Sequence, residues 1–285
     1  MIEPRFHLES FTLERPSGDA LCGDLRFPPN LRDPKPVIIV CHSFMAFKDW
    51  GFFPTIGEKF AEAEFATVVF NFSGNGVVDG ENRITDTSKF ESNTFSRERA
   101  DLEAVIDAVD RRKVGANVID RNRIILLGHS RGGGISIIQT ARDSRVRSLI
   151  TWSAVSSFDR WTLHQKERWR RLGYLPLAKD TTVSPLRLGT GLLDDFEAHR
   201  DELNITGAAS RIDVPWLILH GAADVTVHSR EAEALYAASR NRKATLMLID
   251  KVGHLYNARS PQEDNYQTLG RVIGLTINWL RQHLS

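Results

Sequence analysis

The chain has 285 residues, with 37 Lys and Arg against 36 Asp and Glu, and 41% of its residues are hydrophobic. The net charge of +1 lacks the basic excess typical of nucleic-acid-binding proteins, and no run of about 18 apolar residues is present that would span a membrane. The first ten residues, MIEPRFHLES, lack the apolar core of a signal peptide. We therefore expect a globular, cytoplasmic protein without a nucleic-acid partner.

The two cysteines, Cys22 and Cys41, fall in segments with the pattern of strands. Neither belongs to a CxxC motif or lies near a set of metal-ligating histidines. We interpret both as small buried apolar side chains in a reducing compartment. The sequence therefore predicts no disulfide, no structural metal and no cofactor.

Strand patterns alternate with helix patterns along the chain. The first 27 residues alternate apolar and polar side chains around a turn at Pro16, Ser17 and Gly18, which predicts a β-hairpin. Continuous apolar runs predict strands buried on both faces at 36–41, 66–72, 123–128, 147–153, 215–220 and 244–250. Apolar residues at helical spacing predict helices at 56–65, 96–112, 229–239 and 265–284. This alternation predicts an α/β fold with a doubly wound, mostly parallel central sheet, in one domain of residues 1–285.

One segment, residues 154–208, interrupts this alternation. It contains Trp161, Trp169 and Tyr174 together with a cluster of basic residues. A segment of this length between two strands of a compact domain is typical of a lid or a binding element. We therefore expect a lid insertion, in which Trp161 and Trp169 either contact a substrate or form the core of the lid.

The motif GHSRG at residues 128–132 has the form GxSxG. It directly follows the strand pattern RIILLG and directly precedes the helical pattern GGGISIIQTARD. This strand–turn–helix context presents a nucleophilic serine at the carboxyl edge of a sheet. A phosphate-binding turn is the alternative, but the sequence lacks both GxGxxG and GK[ST]. Ser130 is therefore the candidate nucleophile.

Asp224 is the candidate acid that orients the catalytic base. In folds with this strand–turn–helix arrangement around the serine, the acid and then the histidine follow the serine along the chain. Asp224 follows the strand 215–220, whereas Asp213 precedes that strand and so lies at the opposite edge of the sheet. Asp250 ends the next strand and remains a rival. A helix cap or an Asx turn is the structural alternative for Asp224.

His254 is the candidate base, because a serine hydroxyl needs a neighbouring group to take its proton. Three histidines follow Asp224 in the sequence. His228 lies only four residues further on and opens a helix, and His283 lies in the tail of the last helix. His254 lies in the loop DKVGH directly after the last predicted strand, where a base must lie to reach Ser130.

An oxyanion hole needs N–H groups aimed at the tetrahedral intermediate. The N–H of Arg131, directly after Ser130, is expected to provide the first. The second is expected from the loop CHSFM after the strand 36–41, and we assign it to the N–H of Phe44. A plain apolar loop is the alternative for this segment.

The sequence blocks around these residues resemble the α/β-hydrolase superfamily. The matching pieces are CHSFMAFKDWGFFP, FNFSGNG, GHSRGGG, LHGAADVTV and DKVGHLYN. The resemblance is strongest to bacterial esterases and peptidase-like members near the dienelactone hydrolases and the cinnamoyl or feruloyl esterases. It implies catalytic roles for Ser130, Asp224 and His254, with the oxyanion held by the N–H groups of Phe44 and Arg131.

Three positions depart from the pattern of that superfamily. Ser43 stands after His42 where members usually carry glycine, which permits a tight turn. His228 stands where a proline usually follows the acid loop, and it would bring an extra titratable side chain near the site. The residues SGNG at 73–76 stand where an arginine is common.

The sequence thus predicts a serine hydrolase that cleaves a small-molecule carboxylic ester, and the tryptophans of the insertion favour an apolar or aromatic acyl group. The main alternative is a serine peptidase or amidase of aminopeptidase type. It would bind a free amine through acidic residues of the insertion, namely Asp194, Asp195, Glu197, Asp201 and Glu202. Further alternatives are a non-catalytic binding protein and a membrane-surface role for the basic run 166–171. A homodimer is left open.

Overall fold

The computed structural model describes residues 5–15, 18–78, 80–177, 186–258 and 266–284. Pro16 and Ser17 of the predicted hairpin turn, and residues 178–185 of the predicted insertion, lie outside the described residues. Within these ranges the strands are β1 (His7–Glu14), β2 (Ala20–Phe27), β3 (Lys35–Cys41), β4 (Ala66–Phe70), β5 (Ile119–His129), β6 (Val146–Trp152), β7 (Tyr174–Pro176), β8 (Arg187–Gly189), β9 (Trp216–Gly221) and β10 (Ala244–Ile249).

Eight of these strands form one sheet in the order β1-β2-β4-β3-β5-β6-β9-β10, and β7 and β8 form a separate pair. The strands from β4 to β10 of this order are parallel, whereas β1 and β2 run antiparallel to their neighbours. The predicted hairpin is confirmed, since His7 pairs with Phe27 and Glu14 with Ala20. β5 begins four residues earlier than predicted, because Ile119 pairs with Lys35 before the register shifts.

The helices cover both faces of the sheet, as the apolar patterns predict. Their bounds are α1 (Phe53–Glu62), α2 (Thr87–Glu91), α3 (Phe95–Asp110), α4 (Arg131–Thr140), α5 (Leu163–Leu172), α6 (Thr190–Ala198), α7 (Ile205–Ala209), α8 (Arg230–Ala238) and α9 (Tyr266–His283). α1 and α9 pack on one face, and α3, α4, α7 and α8 pack on the other. α1 starts three residues before the predicted helix, because Pro54 fits its first turn. The α/β fold with a mostly parallel, doubly wound sheet is confirmed.

The register of the sheet brings the carboxyl ends of its parallel strands to one level. Gly128 at the end of β5 pairs with Cys41 at the end of β3 and with Thr151 of β6. On the other side, Gly221 at the end of β9 pairs with Ile249 at the end of β10. The loops that follow β3, β5, β9 and β10 therefore meet at a single edge of the molecule.

The chain between β6 and β9 leaves this edge at the end of β6, passes through α5, β7, β8, α6 and α7, and enters β9 from the opposite edge, because β6 and β9 are parallel. Its helices are fastened to each other and to α3 by polar contacts. Arg170 of α5 pairs with Asp194 at 2.7 Å and with Glu197 at 2.6 Å, and the N–H of Ser96 donates to Asp195 at 3.0 Å. None of the helices in the described ranges has the length and apolar character that crossing a bilayer requires.

Candidate active site

The turn between β5 and α4 holds Ser130 in a backbone conformation that side chains rarely adopt, with φ 56° and ψ −117°. The two glycines of the motif make this turn sterically feasible. A Cβ at Gly128 would lie 2.3 Å from the carbonyl oxygen of Gly132, and a Cβ at Gly132 would lie 2.4 Å from that of Cys41. Such strain persists only where the surrounding structure enforces it, so the turn exposes one hydroxyl at a fixed place.

Main-chain hydrogen bonds fix the Ser130 backbone on both sides. Its N–H donates to the carbonyl of Trp152 at 3.0 Å, and its carbonyl accepts from the N–H groups of Gly133 and Val155. The residue is only 8% exposed, and what remains open faces a cavity. Arg131 is the first residue of α4, so its N–H has no intrahelical partner and lies at the positive end of the helix dipole.

His254 and Asp224 are joined by a short hydrogen bond, with 2.7 Å between Nδ1 and Oδ2. A carboxylate only accepts hydrogen bonds, so the histidine carries its proton on Nδ1 and leaves the Nε2 lone pair free. The other carboxylate oxygen, Oδ1, accepts from the N–H groups of Thr226 and Val227, each at 2.9 Å. Asp224 therefore closes its own loop as an Asx turn and orients the imidazole at the same time.

A second histidine, His220 at the end of β9, touches the same carboxylate. Its Nε2 lies 2.8 Å from the carbonyl of Val227 and 3.3 Å from Asp224 Oδ2. Burial by itself raises the pKa of the Asp224 carboxyl, but the hydrogen bonds from His220, His254 and the Val227 N–H outweigh it and hold the pKa below its usual range. The acid therefore stays ionised across the pH range in which a histidine titrates.

Ser130 and His254 line the same cavity, although none of the hydrogen bonds defined for the described residues joins the hydroxyl of Ser130 to the imidazole. In enzymes without bound substrate the bond between nucleophile and base is often long, and it tightens when the substrate binds. The structure thus brings the predicted nucleophile, base and acid to one edge of the sheet, with the base–acid bond formed.

The loop after β3 is oriented by His42, which is 4% exposed. The N–H of Phe72 donates to its Nε2 at 3.2 Å, so the ring proton lies on Nδ1 and is donated to the carbonyl of Ser43 at 2.9 Å. Burial lowers the pKa of His42 to about 4, which keeps this tautomer neutral. Because a trans peptide points its N–H away from its carbonyl, the N–H of Phe44 faces away from His42.

The side chain of Arg131 connects the two predicted oxyanion donors. Its guanidinium lies 3.9 Å from the ring centre of Phe44, and Nη1 lies 3.3 Å from Oε1 of the buried Glu98. Burial lowers the pKa of Arg131 and raises that of Glu98, and the pairing of the two groups opposes both shifts. Loss of Glu98 would leave a buried unpaired charge beside both donors.

The cavity at Ser130 has a volume of about 420 Å³ and a mainly apolar wall. Trp161 lies on this wall, whereas Trp169 is fully buried behind it with its ring centre 5.1 Å from that of Trp161. No Asp or Glu is found among the described residues that line the cavity, which are Ser43, Phe44, Trp50, Phe95, Ser130, Arg131, Val155, Phe158, Arg160, Trp161, Leu177, Leu188, Thr226, Val227, His254 and Leu255.

The rival site residues lie outside this arrangement. Asp250 is exposed at the end of β10, and His228 is exposed and absent from the cavity wall. His283 donates from Nδ1 to the carbonyl of Trp279 and stacks on the Trp279 ring. α8 takes Ser229 as its N-cap residue, so Asp224 does not cap that helix.

The sequence patterns did not predict several residues that line the cavity. Phe95 comes from the first turn of α3, Leu188 from β8 and Arg160 from the segment before α5. Their sequence neighbourhoods show only ordinary apolar or charged patterns, because tertiary packing alone brings them to Ser130. The sequence does contain a signal for His42 and His220. His42 directly follows β3 and His220 lies at the end of β9, so both are placed at the edge of the sheet that carries Ser130.

The comparison with protein-family models matches residues 38–265 to the alpha/beta hydrolase family. The chain therefore belongs to the α/β-hydrolase family. An uncharacterized 31.7 kDa protein from the traX-finO intergenic region of Escherichia coli is 30% identical over 283 residues, covering 87% of this chain and 91% of that protein. "Putative esterase/lipase 2" of Mycoplasma genitalium is 24% identical over 261 residues, covering 83% and 88% of the two chains.

Solved structures share the fold at lower identity. The α/β hydrolase GrgF from Penicillium sp. sh18 has a TM-score of 0.76 at 16% identity, covering 97% of this chain and 99% of that chain. Est1E from Butyrivibrio proteoclasticus, solved with ferulic acid bound, has a TM-score of 0.70 at 21% identity, covering 96% and 99%. Membership of the family supports a hydrolase.

Proposed function

We propose that the protein is a serine esterase that hydrolyses carboxylic esters through an acyl-enzyme on Ser130. The observation that carries the proposal is the 2.7 Å bond between His254 Nδ1 and Asp224 Oδ2, at the wall of the cavity into which Ser130 opens. This bond leaves Nε2 of His254 as the one ring atom able to accept the serine proton.

In the first half-reaction Ser130 Oγ attacks the acyl carbon while its proton passes to His254 Nε2. The N–H groups of Phe44 and Arg131 then hold the oxyanion, which preorganised donors stabilise strongly. His254 returns the proton to the leaving alcohol. In the second half-reaction a water molecule follows the same route, attacks the acyl-enzyme and frees Ser130.

The composition of the cavity wall favours esters over the substrates of an aminopeptidase. A free amine needs a carboxylate partner, and the described lining residues offer none. Three of the acidic residues of the insertion are paired with arginines outside the cavity wall. Asp194 and Glu197 pair with Arg170, and Glu202 pairs with Arg142.

Aromatic side chains on the cavity wall favour an apolar or aromatic acyl group. They include Phe95 and Phe158, which stack with ring centres 4.1 Å apart, and they are completed by Trp161. Rings prefer offset or edge-to-face contacts with other rings. The ferulic acid bound to Est1E is consistent with an aromatic acyl group here. Trp161 belongs to the segment between β6 and β9, so we propose that this segment is the lid that forms the acyl pocket.

The test is Ser130→Ala, assayed on p-nitrophenyl acetate and on the p-nitrophenyl ester of an aromatic acid. We expect kcat to fall by about 10⁵- to 10⁶-fold, as when a serine nucleophile is removed elsewhere. A fluorophosphonate should label the wild type at Ser130 and leave the variant unlabelled. Circular dichroism and thermal unfolding check that the variant is folded.

A folded Ser130→Ala protein that turns over these esters at the wild-type rate would exclude the proposal. Aminoacyl p-nitroanilides serve as the competing substrates. Faster turnover of these amides than of the esters would favour the peptidase alternative instead.

A further inference from the structure

His129, the residue before the candidate nucleophile, is fully buried at the end of β5. Its ring makes edge-to-face contacts with Phe52 and Phe53, with ring centres at 5.3 and 6.2 Å. On its other side lies His254, with 4.8 Å between the ring centres. The proton transfers described above make no use of this histidine, and an imidazole in apolar surroundings is costly to bury.

The one hydrogen bond that the His129 side chain makes with a described residue explains the orientation of its ring. Nε2 lies 3.0 Å from the carbonyl oxygen of His254. A carbonyl only accepts, so Nε2 carries the ring proton and donates it, and Nδ1 is left unprotonated without a partner. The side chain before the serine therefore holds the main chain of the candidate base.

The loop that carries His254 needs such a support, because its backbone is strained. Lys251, Tyr256 and Asn257 all have positive φ, at 61°, 53° and 58°, a conformation that residues other than glycine adopt only where the structure over-determines it. The loop is also packed tightly against β9, since a Cβ at Gly221 would lie 2.3 Å from the carbonyl oxygen of Val252. A strained loop relaxes when a contact that fixes it is lost.

Other contacts hold the residues on either side of His254, whereas His129 holds the main chain of His254 itself. The hydroxyl of Tyr256 lies 3.1 Å from that of Ser153, and the N–H of Gly253 donates to Asn257 Oδ1 at 3.3 Å. Among the hydrogen bonds defined for the described residues, the one from His129 is the contact to the backbone of His254 itself.

We propose that His129 is a positioning residue for His254. Its Nε2–H holds the base loop so that the imidazole stays in line with Asp224 on one side and Ser130 on the other. The effect on catalysis rests on the proposed function, whereas the effect on the imidazole does not. Two consecutive residues, His129 and Ser130, thus position the candidate base and supply the candidate nucleophile.

The test compares a variant that keeps the donor with variants that lose it. His129→Gln places an amide N–H at about the reach of Nε2, whereas His129→Leu and His129→Phe fill the space without a donor. Two donor-free variants are used so that a misfolded one does not decide the result. Thermal unfolding identifies which of them are folded.

The first readout is the proton NMR signal of His254 Nδ1–H, which the hydrogen bond to Asp224 shifts to low field. Its assignment is checked by its loss in His254→Gln. We expect the signal to broaden away or exchange with solvent at least about tenfold faster in a folded donor-free variant, and to persist in His129→Gln. The second readout is turnover, where we expect the donor-free variant to lose about 10- to 100-fold in kcat with little change in KM, and the Gln variant to recover most of it.

A folded donor-free variant with the wild-type signal and the wild-type kcat would overturn the proposal. Equal losses in His129→Gln and the donor-free variants would also overturn it, because the role would then be packing. If the signal responds as expected while the wild type cleaves no ester, the positioning role stands and the esterase proposal fails. If ester turnover is intact in the donor-free variant, the esterase proposal stands and the positioning role fails.

Discussion

The edge of the sheet that carries the candidate site and the segment between β6 and β9 are built in different ways. At the edge, main-chain geometry fixes each group, with Ser130 in a strained turn between obligatory glycines and Asp224 bound by two backbone N–H groups. The segment is held by buried apolar side chains such as Trp169 and Leu193 and by exposed ion pairs, since the Arg170 side chain that joins α5 to α6 is 44% exposed.

This difference indicates which part of the site tolerates change. Exposed ion pairs contribute little to stability, typically below about 1 kcal/mol, whereas a Cβ at Gly132 would meet backbone atoms that cannot move aside. We therefore expect the glycines of the edge to accept few substitutions and the exposed ion pairs of the segment to accept many. Under the proposed function, changes at the exposed positions of the segment would alter specificity more readily than the reaction itself.

After Ser130→Ala, the largest effect is expected at the edge, from Asp224→Asn. The amide keeps the shape of the carboxyl but no longer requires the proton on Nδ1, so His254 loses the tautomer that frees Nε2 for Ser130. We expect kcat for p-nitrophenyl acetate to fall by about 10³- to 10⁴-fold. Steady-state kinetics on folded protein measures this.

Asp250→Asn is the matched control, because Asp250 directly follows the neighbouring strand β10 and is exposed. It should leave kcat within about twofold of the wild type, as surface substitutions away from a site usually do. A large loss in Asp250→Asn together with a small one in Asp224→Asn would reverse the assignment of the acid.

The same contrast explains what the sequence could predict. The strand ends that carry Ser130, Asp224 and His254 were identifiable, because each is marked by a local pattern of apolar residues followed by glycine, and parallel strands share an edge. The approach of Phe95 and Leu188 to the cavity was not identifiable, because it depends on how α3 and β8 pack over long sequence distances. The roles of His42 and His129 as donors to backbone carbonyls likewise appear only in three dimensions.

A smaller effect is expected on the pH dependence of the free energy of unfolding, and it comes from the buried His129. Burial, with a smaller contribution from the neighbouring His254, lowers the pKa of His129 to about 3. In the unfolded chain a histidine titrates near about 6.5. The unfolded state then binds more protons than the folded state, so the free energy of unfolding falls as the pH drops below about 6.5. Between pH 7 and pH 5, His129→Gln should lose about 2 kcal/mol less stability than the wild type.

Urea unfolding of both proteins at a series of pH values measures this difference. The other groups that face His129, namely Asp224, His220 and His254, are present in both proteins, and so is Asp101, whose pKa burial raises to about 6. Between pH 7 and pH 8 the two curves should run parallel, which is the internal control. Curves that stay parallel down to pH 5 would show that His129 takes up a proton in the folded state as readily as in the unfolded one.

The smallest effect is expected in the segment, from Trp161→Ala. The indole lies on the cavity wall and packs against Trp169, so its loss removes apolar contact from an acyl group that reaches that far. The ratio of kcat/KM for an aromatic acyl ester to that for p-nitrophenyl acetate should fall by about tenfold, because losing part of a hydrophobic pocket costs roughly 1–3 kcal/mol. Leu163→Ala is the matched control, since Leu163 is 78% exposed two residues away, and it should leave the ratio unchanged. If both variants changed the ratio equally, Trp161 would not contact the acyl group. The segment would then affect turnover through its position as a whole and not through the Trp161 side chain.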